Sequence, residues 1–77
     1  MTHELKIKAE YLKEITEGNK NFELRRNDRD FKVGDWLHLR EYINGQYTGR
    51  FYTVLIKYIL KDCPEYGLMN GYCILGF

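Results

Sequence analysis

Proline occurs once in the 77 residues, as Pro64, and cysteine twice, as Cys63 and Cys73. Two thiols without metal-ligand spacing to His3 or His38 argue against a disulfide framework or a zinc site and read as reduced packing residues. No run approaches the roughly 18 consecutive apolar residues of a membrane helix. The opening MTHELKIK lacks the apolar stretch of a secretory signal. The expectation is a soluble, cytoplasmic protein with no membrane partner. An excess of one charge is missing too, since 12 Lys and Arg stand against 11 Asp and Glu, a formal net charge of +1. That excludes the bulk field of a strongly basic nucleic-acid binder, so any such contact has to use a local patch. Repeats and low-complexity segments are absent, and the length leaves no room for a second core, so residues 1–77 read as one domain. No cofactor motif and no metal-ligand cluster is visible.

What is present is a core in a strand-rich pattern. Hydrophobic residues make up 44% of the chain and aromatics 16%, enough large side chains for a small packed interior. HELKIK alternates Leu5 and Ile7 with Lys6 and Lys8, the period of a half-buried strand. AEYLKEITEG predicts a helix with Tyr11, Leu12 and Ile15 on one face, stopped by Gly18. NFELR predicts a second strand, with Phe22 and Leu24 opposite Glu23 and Arg25. DWLHLREY predicts a third, with Leu37 and Leu39 opposite Trp36, His38, Arg40 and Tyr42, and Asn44-Gly45 then marks a tight hairpin. QYTGRFYTVLIKYIL is apolar on both parities around Val54 to Ile56, which predicts one long central strand, buried on both faces or bent by a bulge. YCILGF closes the chain as a fifth strand. Five strands and one early helix predict an α+β domain whose sheet curls into a small β-barrel.

The stretch GNKNFELR, Gly18 to Arg25, concentrates ionisable groups. Glu23 and Arg25, two apart on a strand, project from one face, and Lys20 enters from the turn after the helix. A guanidinium fork, a carboxylate and an ammonium can together recognise a planar polar ligand, with Lys20 holding a phosphate or, when desolvated, acting as a base. Exposed charges making weak surface pairs would leave the same pattern, and spacing alone does not separate the two. Lys20 and Glu23 are therefore catalytic candidates without an assigned catalytic role.

The same eight residues match G-x-K-x-x-E-x-R, the signature of the ASCH (activating signal cointegrator homology) domain, a relative of the PUA domain. The order of elements agrees, and FKVGD looks like the family's entry to its next strand. With HELKI, NFELRRNDRDFKVGD, LREY, YTGR and YCILGF, nearly the whole chain resembles a small uncharacterised ASCH-like family of phages and bacteria. The resemblance implies a PUA-like barrel with a cleft beside the helix, floored by the signature strand, that binds RNA or a modified nucleotide. Gly18, Lys20, Glu23 and Arg25 are the matching positions, and Asn27, Asp28 and Arg29 lie just beyond as the cleft rim.

On that reading Lys20, Arg25, Arg26, Arg29 and Arg50 meet phosphate, Glu23 reads an amine edge, and Trp36, Tyr42 and Tyr47 stack on bases. Two other classes stay open. Some small bacterial ASCH proteins hydrolyse the acetyl amide of N4-acetylcytidine with the signature Lys, a Thr at the position of Glu23 and a later Glu. This chain keeps Lys20, departs at Glu23, and offers Glu41 and Glu65 as later carboxylates. The third class is a protein-interaction module built on the Tyr-rich hairpin from Tyr42 to Tyr52. His38 reads as a rim residue, and His3 opens the first strand near the cleft.

Overall fold

Strand alternation decides which side chains turn inward, and the computed structural model, which describes residues 1–77, shows where they meet. The chain runs β1 (Thr2–Ile7), α1 (Ala9–Thr16), β2 (Phe22–Arg26), β3 (Trp36–Ile43), β4 (Gln46–Leu55), β5 (Tyr58–Lys61) and β6 (Tyr72–Gly76). A single 3-10 turn, Pro64–Tyr66, precedes β6. The strands form two three-stranded sheets, ordered β1-β3-β4 and β2-β6-β5. β1 lies parallel to β3, and every other pair is antiparallel. Leu5, Ile7, Leu37 and Leu39 of the first sheet face Cys73 and Leu75 of the second, and Leu12 and Ile15 of α1 close the core.

β1 keeps its period, with His3, Leu5 and Ile7 buried in alternation. In α1, Leu12 and Ile15 are buried while Tyr11, expected on the same face, is exposed. The correction follows from the 100° step of a helix, which carries Tyr11 past the edge of a stripe this narrow. Gly18 adopts φ +81° and ends the helix. Its N–H bonds to Ile15 O and that of Asn19 to Glu14 O, the paired bonds of a Schellman motif. At the hairpin, Asn44 and Gly45 both have positive φ, 50° and 81°, as a type I′ turn demands.

The segment expected as one long central strand is two strands. β4 is an edge strand of the first sheet and β5 an edge strand of the second. Between them Ile56 is fully buried; its N–H reaches Asp35 O at 2.9 Å, and that of Lys57 reaches Gly76 O at 2.8 Å. Apolar residues on both parities here mark a chain passing from one sheet to the other, a corner of a two-sheet packing. Six strands in two sheets thus replace the five of a single curled sheet. The sheets join at this corner, and no ladder pairs β1 with β2 on the opposite side.

Candidate functional site

β2 turns Glu23 inward, with Arg25 half-buried on the same parity. Glu23 is 5% exposed, whereas Phe22 and Leu24 are 49% and 55% exposed. A carboxylate taken out of water requires partners. Lys20, placed by the turn after α1, donates from Nζ to Glu23 Oε1 at 2.8 Å and to Phe22 O at 2.7 Å. Arg25 donates from Nε to Glu23 Oε2 at 2.8 Å. The ammonium of Lys20 also lies 5.1 Å from the Tyr11 ring and 4.8 Å from that of Phe22. The structure therefore brings Lys20, Glu23 and Arg25 together as an interlocked ion triad, and Gly18 serves as the helix stop.

The arginines beyond the triad reach β1. Arg25 also donates to Lys6 O, and Arg29 to Glu4 O at 2.9 Å. Carbonyls two apart on a strand point the same way, so both guanidinium groups cap the free edge of β1 where no neighbouring strand pairs with it. A hollow of about 160 Å³ lies here among Leu5, Arg25, Arg26, Asp28, Arg29 and Phe31. Asn27 accepts from the Phe31 N–H at 3.2 Å and shapes the loop. Arg26 turns to the other side, over the Tyr72 ring at 5.4 Å. The bond from Arg40 to Glu4, 2.6 Å long, holds the Glu4 carboxyl below its usual range, with charge from His38 and Arg29 adding to it. Arg29, Glu4, Arg40 and His38 are thus neighbours.

From there the outer face of the first sheet continues as cations laid on rings. Arg40 sits 3.7 Å from the centre of Tyr47 and Lys6 4.3 Å from that of Tyr42. Tyr42 and Tyr47 meet edge to face at 5.0 Å, and His38 lies against Phe51 at 4.8 Å. Trp36, on the same parity, is 46% exposed. The three aromatics expected to stack on bases therefore share one accessible face.

His3 lies inside instead. Its ring packs edge-on against Phe31 at 4.7 Å, and Nε2–H donates to Asp35 Oδ2 at 2.8 Å. Since an ionised carboxylate only accepts, the proton belongs on Nε2. That bond from His3, followed by the backbone N–H of Lys32 and the amino terminus, holds the Asp35 carboxyl below its usual range.

Glu41 carries no motif context in the sequence, yet it is 5% exposed. The signal that marks it is parity, because it follows Leu37 and Leu39 on the inward side of β3. Arg40 pairs with Phe51 and Tyr42 with Tyr47, so Glu41 alone faces the bulged residues Thr48, Gly49 and Arg50. Gly49, at φ +95°, makes that bulge possible. Thr48 donates its hydroxyl to Glu41 Oε1 at 2.9 Å and accepts the Arg50 N–H at 3.2 Å. Glu41 lines a groove of about 700 Å³ between α1 and the bulge, walled by Ala9, Lys13 and Thr16 and rimmed by Arg50. Arg50 thus lines a different cavity from the one beside Arg25, Arg26 and Arg29. No group of three or more His, Cys, Asp or Glu gathers as a metal site, and no helix is long and apolar enough to cross a membrane.

Comparison with known proteins gives two likenesses. Residues 2–77 match the family described as "Domain of unknown function (DUF3850)". The chain is also 44% identical over 48 residues to the "Uncharacterized 12.9 kDa protein in GpA 3'region" of Escherichia phage P2. That alignment covers 62% of this chain and 44% of the phage protein, so the chain spans less than half the length of that relative.

Proposed function

The chain belongs to the DUF3850 family, and we propose that it is an RNA- or nucleotide-binding module of ASCH-like, PUA-like descent. Single-stranded RNA runs along the free edge of β1 and over the outer face of the first sheet. The observation that carries this reading is the continuity of cations and rings, from Arg29 through Arg40 on Tyr47 to Lys6 on Tyr42. Phosphates follow Arg25 and Arg29, with Asn27 and Asp28 at the rim and Arg26 turned away over Tyr72, and bases stack on Trp36, Tyr42 and Tyr47. Lys20 and Glu23 brace Arg25 at the base of the path. Already satisfied by Lys20 and Arg25, Glu23 orients the Arg25 guanidinium rather than reading an amine.

The hydrolase reading has less support, because a general base needs a free lone pair and the Lys20 ammonium is engaged as a donor to Glu23 and Phe22 O. The test is fluorescence anisotropy of a labelled single-stranded RNA at low and near-physiological salt, with wild type, Arg40→Ala and Trp36→Ala. Wild-type binding should weaken with salt, and each variant should bind about tenfold more weakly, the scale of one lost stacking or phosphate contact. An absence of binding by wild type, or variants that bind as wild type does, would overturn the path.

A further inference from the structure

The groove at Glu41 stands apart from the RNA path and is chemically more specific. Glu41 takes part in none of the chain's ion pairs, unlike the equally buried Glu23, which has two. Its one protein partner is the Thr48 hydroxyl, bonded to Oε1. Oε2 has no protein donor and is not sealed from solvent, so it opens into the groove. A largely buried carboxylate with a single neutral protein donor leaves its second oxygen to water, which a ligand's N–H group can replace. Thr48 gives its one proton to Glu41 and accepts the Arg50 N–H, so it has no donor left for a ligand.

At the rim, the Arg50 guanidinium makes no hydrogen bond or ion pair within the chain, and Lys13 stands on the opposite wall. The groove therefore offers an acceptor on its floor and cations at its mouth. Its volume of about 700 Å³ falls within the range of small-molecule sites. The bulge that creates it interrupts the β3–β4 ladder opposite Glu41, the kind of irregularity that re-aims side chains at binding sites.

We propose that this groove binds one nucleotide, its amino-bearing base on Glu41 and its phosphate on Arg50 and Lys13, with guanine the preferred base. The ligand class rests on the nucleotide reading above; the polarity of the site does not. Guanine sets its ring N–H beside an amine, so the open Oε2 accepts one donor while the second faces the carboxylate charge rather than a lone pair. Cytosine and adenine offer a single amine. Uracil flanks its N–H with carbonyl oxygens that face the carboxylate unfavourably, and a site built for donors rejects a base lacking them.

The experiment is a ¹H–¹⁵N NMR titration of the full chain with GMP, CMP and UMP. GMP should shift the amides of Lys13, Glu41, Thr48, Gly49 and Arg50, and UMP should bind at least about tenfold more weakly. Glu41→Gln and Arg50→Ala should each weaken GMP about tenfold. Arg50 is exposed, so its variant reads the site without disturbing the floor. Equal binding of GMP and UMP, shifts confined to other amides, or an Arg50→Ala protein that binds GMP normally would overturn the site. If RNA fails to bind while GMP still moves the bulge amides, the RNA path falls and the groove stands. The reverse overturns the groove alone.

Discussion

Asp35 joins the loop before β3 to His3 at the start of β1, and its lowered pKa makes that junction sensitive to acid. The folded pKa lies below the unfolded one, so the stabilisation is fully present above about pH 3.9, the ordinary aspartate value, and is lost as pH falls through the folded value. Melting curves from about pH 6 down to about pH 2 should therefore show a shallower acid limb for Asp35→Asn than for wild type. Equal slopes would mean that Asp35 contributes nothing to acid unfolding. The alternation that identifies Leu5, Ile7, Leu37 and Leu39 as core runs equally through His3, Asp35 and Glu41, so their inward parity was legible in the sequence. Their partners were not, because His3 and Asp35 stand 32 residues apart and Glu41 meets Thr48 only through a bulge.

At the scale of the element, β1 is the instructive case. Its period of two was plain in HELKIK, whereas the covering of its free edge by two guanidinium groups could not be read from spacing, since Arg25 and Arg29 look like any exposed cations. Arg29→Ala removes one bond to a carbonyl and should cost about 1 kcal/mol in urea unfolding. Arg25→Ala also strips a donor from the buried Glu23 and should cost more, about 2 to 3 kcal/mol. The opposite order would show that the triad is not what anchors β2 to β1. The break between β4 and β5 was hidden for a different reason. An apolar stretch crossing between sheets and a strand buried on both faces have the same composition.

For the molecule as a whole, the α+β class, the early helix and the Asn44-Gly45 hairpin followed from local chemistry. How the strands divide into sheets did not, because it depends on the corner at Ile56 and on long-range pairing. Leu39 sits where all the layers converge, fully buried on the central strand of the first sheet. Leu39→Ala should lower global stability by about 2 to 5 kcal/mol. A near-neutral effect in equilibrium denaturation would mean that the two sheets do not share one core.

The position of β6 has a further consequence. It is the middle strand of the second sheet, yet it follows both of its neighbours in the chain. While the polypeptide emerges from the ribosome, β3 and β4 can zip locally from their turn, but β2 and β5 wait without a partner until residues 72–76 have been made. Throughout that interval β2 and β5 carry unpaired backbone edges, and this is when the nascent chain is most exposed to aggregation.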